Sequence, residues 1–298
     1  MQRIAIAAAV AVLAACGPAS EQGATQETGN QPASLITPVE DQISVHLKNT
    51  LGNPLPFGVY IPPGYNASTE LYPTVIHLNG IGELGVATDE AALYDIVTRN
   101  GALKHIRNSA TWKAYFGQKK ALVFVPQAIN NYVPAEIRPF VRYIVANYRV
   151  DPKRVYLTGL SFGGRGSWQY AELYGSELAA LATSATNIGP QGTTLTQMND
   201  VPVWSTSSYG DRWAERDWLL TVTKNYNYWS FPPVTQPSQV TTYLFDKTTQ
   251  NWTSQPGVVA TGSSILRWVV YPGNAHMGWN ETYSNQAFWD WMFSKQRP

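Results

Sequence analysis

Residues 155–171 read VYLTGLSFGGRGSWQYA. A β-branched apolar run leads into Gly159-Leu160-Ser161-Phe162-Gly163, and a helical pattern follows. Gly-x-Ser-x-Gly alone is a weak signal. In the order strand, motif, helix it describes a nucleophile elbow, a sharp turn that holds serine at its tip in a strained backbone. Glycines flank such a serine because the strand and the helix nearly touch there. The competing reading is a structural turn with a spectator serine. What the rest of the chain supplies decides between them.

A serine hydroxyl is a poor nucleophile at neutral pH and needs a base. The base follows the nucleophile in chains built around this elbow. Of His46, His77, His105 and His276, only His276 does so, in YPGNAHMGWN between the last apolar run and the last helical pattern. His46 and His77 fall within early strands and read as scaffold, and His105 falls in a helical stretch. The acid that would orient the imidazole is chosen among Glu172, Glu177, Asp200, Asp211, Glu215, Asp217 and Asp246. Asp211, just past VPVWSTSS, stands first by position. Glu215 and Asp217 share its loop and stay open as alternatives, and each of the three could instead pair with Arg212 or Arg216. An oxyanion hole needs two N–H donors. Phe162, after the nucleophile, supplies one, and the glycine-rich NGIGELG turn supplies the other, with Ile81 as the expected donor.

Around these residues short β-rich runs alternate with helical patterns, which argues for a mostly parallel sheet flanked by helices. QISVHLKNT and PFGVYIPP read as an antiparallel pair. YPTVIHLN, ALVFVPQ, LAALATSA, VPVWSTSS and LRWVVYP read as further strands. Residues 89–107 carry a helical pattern. In PAEIRPFVRYIVANY the positions Ile137, Val141, Ile144, Val145 and Tyr148 place one helix face on the sheet. GGRGSWQYAELYG reads as a helix closed by Gly175, and an amphipathic helix falls near 283–295.

With these pieces in place, the chain resembles the α/β-hydrolase superfamily. Within it, the chain is similar to secreted bacterial esterases and peptidases related to polyhydroxybutyrate depolymerases and feruloyl esterases. VYIPPGYN, TVIHLNGIGELG, YRVDPKRVYLTGLSFGGRGSW, VVYPGNAHMGWNETY and FWDWMF carry the likeness over most of residues 57–298. It implies an α/β fold in a single domain, with an insertion before the last strand. It implies Ser161 as nucleophile, His276 as base, and the amides of Phe162 and Ile81 as the oxyanion hole. Two positions depart from the family pattern. Asn79-Gly80 stands where the family reads His-Gly, and a family Gly-x-x-Asp counted from Gly210 reaches Trp213.

The N-terminus MQRIAIAAAVAVLAACG has one positive residue, Arg3, and then an apolar run too short to span a bilayer. It reads as a signal peptide over 1–15. LAAC resembles a lipobox, which implies lipidation of Cys16, the single cysteine, and a lipid anchor to the bacterial cell envelope facing the periplasm or exterior. Residues 16–35 are poor in large apolar side chains and read as a tether. Residues 36–298 read as one domain, on the resemblance an α/β-hydrolase catalytic domain.

The 21 basic and 20 acidic residues form no basic stripe, which argues against a nucleic-acid partner. No His pair at ligand spacing and no cofactor motif suggests a metal or cofactor. Residues 218–265 lengthen the connection before the last strand. Their Tyr226, Tyr228, Trp229 and Trp252, with Trp279 beside the base, are expected to line a cleft for an extended or aromatic substrate, or else to pack the insertion against the body. The expectation is an extracytoplasmic serine hydrolase acting on a small-molecule or polymeric ester. A serine peptidase of the same fold and a non-catalytic surface binding protein on this scaffold are the alternatives.

Overall fold

Strand periodicity and apolar runs of the kind just described build one sheet in the computed structural model, which describes residues 37–191, 195–211, 213–228, 230–231, 233–259 and 264–298. The expected signal peptide, Cys16 and the tether lie outside the described residues, as do Arg212 and Trp229. The first half of the chain runs β1 (Ile43–His46), β2 (Phe57–Tyr60), β3 (Tyr72–Leu78), α1 (Glu90–Val97), α2 (Gly101–Asn108), α3 (Ala110–Gln118), β4 (Leu122–Pro126), α4 (Pro134–Asn147) and β5 (Val150–Leu160). The second half runs α5 (Phe162–Tyr174), β6 (Ala180–Ser184), β7 (Val203–Ser208), α6 (Trp213–Thr223), β8 (Thr241–Asp246), β9 (Asn251–Pro256), β10 (Leu266–Tyr271), α7 (Trp279–Tyr283) and α8 (Gln286–Phe293).

The sheet order is β1-β2-β4-β3-β5-β6-β7-β10-β8-β9. From β4 across to β10 neighbouring strands are parallel, with β5 and β6 in the register Gly159↔Thr183. These strands are covered on both faces, which is why YPTVIHL and LVFVP read as unbroken apolar runs. Ile137, Phe140 and Ile144 of α4, with Trp168 and Trp218, cover one face. Leu93, Val97, Leu103, Phe116, Phe288 and Trp289 cover the other. At one edge β1 and β2 form the expected antiparallel pair.

The structure sharpens two expectations. The pattern over 89–107 is two helices, parted at Gly101. Gly101 has φ +65°, and a Cβ there would lie 2.7 Å from the buried His77 ring, so the backbone crosses that imidazole only as glycine. The insertion before the last strand joins the sheet. Its hairpin pairs β8 antiparallel to β10, extends the sheet by two strands, and leaves β10 inside it.

Candidate active site

Strand β5 runs straight into Ser161, whose φ of +52° and ψ of −115° are costly for a residue with a Cβ. Strain of this kind amounts to about 1–3 kcal/mol and persists only where the surroundings impose it. Here they do. Ser161 N–H donates to Ser184 O at 2.9 Å, and Ser161 O accepts from Arg165 N–H at 3.0 Å. A Cβ on Gly159 would lie 2.4 Å from Gly163 O, and one on Gly163 would lie 2.0 Å from Leu78 O. The two glycines are therefore steric requirements of the turn.

The imidazole arrives from the loop after β10. His276 Nε2 is 2.9 Å from Ser161 Oγ, and His276 Nδ1 is 2.5 Å from Asp211 Oδ2. Asp211 ends a short 3-10 turn, Tyr209–Asp211, that is fastened to the histidine loop. Gly210 N–H donates to Gly273 O at 3.0 Å, and Ser208 Oγ–H donates to Ala275 O. A Cβ on Gly210 would collide with Asn274. The hydrogen bond to Asp211 holds the His276 pKa above the usual histidine value, against the opposing effect of burial. A tautomer with the proton on Nδ1 leaves Nε2 free to accept the serine proton.

The three carboxylates left open by sequence separate cleanly. Asp217 pairs with Arg216 at 3.0 Å. Glu215 is fully buried and accepts four hydrogen bonds, from Trp168 Nε1, Thr183 Oγ1, Ser205 Oγ and the Thr186 amide. Burial pushes its carboxyl up, and those donors pull it back. Only Asp211 of the three reaches the imidazole.

Gly80 lies beside the serine: a Cβ on it would sit 3.8 Å from Ser161 Cβ. Ile81 opens the short 3-10 turn Ile81–Glu83 that follows. Among the described residues no acceptor takes the Phe162 or Ile81 amide hydrogen. Asn79 is turned inward. His77 is buried and held neutral, its pKa lowered to about 4 by desolvation, so its Nε2–H donates to Asn79 Oδ1 at 3.0 Å. The Asn79 amide donates to Tyr132 OH at 3.3 Å. The residue departing from the family pattern is thus a strut behind the turn. His105 packs on Trp112, and His46 lies on β1, away from the serine.

Of the two expectations for the insertion, the described rings follow the second and pack it against the body. Trp252 is 5% exposed and packs on Phe231, ring centroids 4.4 Å apart, and on Phe245. Tyr226 and Tyr228 also pack on Phe245. These rings bury the underside of the hairpin, because an added pair of strands needs an apolar face to stay on the sheet. Trp279 does flank the base, its ring centroid 5.3 Å from that of His276.

No protein-family model and no curated protein matches the chain in sequence. Solved structures do. A thermostable esterase superposes with a TM-score of 0.59 at 18% identity, over 86% of this chain and 63% of its own. The acetyl xylan esterase from Aspergillus awamori gives a TM-score of 0.51 at 12% identity, over 84% of this chain and 99% of its own. The chain has the α/β-hydrolase fold. It spans less than two thirds of the length of the thermostable esterase. In an α/β-hydrolase fold the carboxyl ends of the parallel strands carry the site, and Ser161, Asp211 and His276 follow β5, β7 and β10 at those ends. Sequence reasoning missed the Glu215 hub. Its signal was present in Thr183 and Ser205, polar residues facing the same way in strands that are otherwise buried.

Proposed function

We propose that this protein is an extracytoplasmic serine hydrolase that cleaves carboxylic esters through an acyl-enzyme on Ser161. The observation that carries the reading is the unbroken relay from Ser161 Oγ through the His276 ring to Asp211, set at a strained elbow. Ser161 Oγ attacks the ester carbonyl carbon while His276 Nε2 takes its proton. The oxyanion is received by the amides of Phe162 and Ile81. The C–O bond to the alcohol breaks as His276 returns the proton to the leaving oxygen. Water, deprotonated by His276, then releases the acid and restores the serine. Trp279 borders the base, and an ester substrate is the class favoured by the esterases that share the fold. The same proposal takes residues 1–15 as a signal peptide, Cys16 as lipidated and 16–35 as a tether, on the strength of the LAAC motif.

The test is labelling with a fluorophosphonate followed by peptide mass spectrometry. A stoichiometric adduct on Ser161 that disappears in His276→Ala supports the reading. Folded protein that takes no label refutes it.

A further inference from the structure

The four hydrogen bonds of Glu215 are not spread at random over the fold. Its Oε1 accepts from the Thr186 amide at 3.0 Å. Thr186 closes the turn that leaves β6, in which Ala185 has φ +50° and Ser184 O accepts the Ser161 amide. Its Oε2 accepts from Trp168 Nε1 at 3.2 Å, on the helix that leaves the elbow. The same oxygen accepts from Thr183 and Ser205, both at 2.8 Å, at the paired ends of β6 and β7. Glu215 itself lies four residues after Asp211, in the first turn of α6.

We propose that Glu215 is a positioning residue for hydrolysis, a single buried carboxylate that ties both walls of the Ser161 turn to the helix starting beside Asp211. The proposal rests on the reading of Ser161 as nucleophile. Nucleophile and acid come from segments fifty residues apart and must keep the imidazole in reach of both. Glu215 fixes that separation from below, without touching any reacting atom. A carboxylate suits the task because Trp168 Nε1–H and Thr186 N–H can only donate, and they address different oxygens. The E215Q amide offers one oxygen and one NH₂, so one of the two arms meets a donor and is lost. A role confined to stability would lower the melting temperature and leave the elbow intact. A positioning role loosens the elbow in protein that is still folded.

The experiment compares the full chain with Glu215→Gln, Trp168→Phe and the double variant. Trp168→Phe keeps an aromatic ring against Trp218 and the carboxyl group of Glu215, and removes only the arm to α5. Two readouts are taken well below the melting transition: kcat and KM on a chromogenic acetate ester, and hydrogen exchange of peptides across Ser161 and across β3. For E215Q kcat should fall about tenfold with KM within about twofold, since small misplacements act on the chemical step. Exchange across Ser161 should quicken about tenfold while β3 is unchanged. Trp168→Phe should show a smaller loss, and the double variant less than the product of the two. Exchange across Ser161 that is unchanged, or raised only in step with β3, overturns the proposal. So does a kcat within about twofold of the parent in E215Q. A parent that neither labels nor turns over ester refutes the hydrolase reading and the positioning role with it, and the exchange ratio then reports only whether Glu215 holds the turn.

Discussion

Two regions of this chain advertise themselves in sequence: the Gly-Ser-Gly turn after β5 and the aromatic stretch around the β8–β9 hairpin. They differ in what their side chains are satisfied by. At the elbow the backbone is strained at Ser161, the Phe162 and Ile81 amide hydrogens meet no acceptor among the described residues, and the hydroxyl is aimed at an imidazole. At the hairpin Trp252, Tyr226, Tyr228 and Phe231 are spent on one another and on Phe245. Aromatic density marks packing there, whereas strain and free donors mark the site.

The comparison breaks most visibly if Ser161→Ala retains turnover. Its kcat should fall about 10⁶-fold with the melting temperature held or raised, read by ester hydrolysis and calorimetry. Asp211→Asn should lower kcat by about 10⁴-fold through loss of the productive tautomer. The acid limb of its pH–rate profile should also move. Asp211 raises the His276 pKa and catalysis needs neutral imidazole, so the rate climbs as pH passes that raised value. Without the carboxylate the limb shifts down toward about 6.5. The same contact stabilises the fold below about pH 6.5, and that contribution is lost as pH rises through the folded-state pKa, which a pH series of melts would register.

The hairpin should answer in the opposite way. Trp252→Ala should cost about 3–5 kcal/mol of stability in denaturant titrations. Its kcat, in protein still folded, should stay within about twofold of the parent. A large loss of kcat there would mean that the cleft reading of the insertion was right. Smallest of all, Tyr226→Phe removes the hydroxyl that accepts the Asp200 amide, and should cost about 1 kcal/mol with kinetics untouched.

Much of this was legible beforehand because the signals are local. The elbow is set by residues adjacent in the chain, and His276 follows by elimination among four histidines. The acid was less legible, since Asp211, Glu215 and Asp217 lie within seven positions and differ only in which way a turn and a helix point them. The inward turn of Asn79 toward His77 depends on a neutral buried imidazole, which no spacing rule encodes. The hairpin rings left two readings open for the same reason. A strand face buried against α-helix and core carries the same aromatic residues as a binding cleft, and only the pairing with β10 tells them apart.

That pairing bears on how the molecule comes into being. β10 follows β8 and β9 in the chain, yet it lies between β7 and β8. During synthesis β8 and β9 can close as a local hairpin before the strand that fastens them to the sheet has emerged. Joining β7 to β10 spans some sixty residues, a slow, long-range closure. The histidine loop follows directly on β10, so His276 reaches Ser161 only once β10 has joined the sheet. On the proposed reading, the onset of ester hydrolysis would then serve as a clock for the docking of β10.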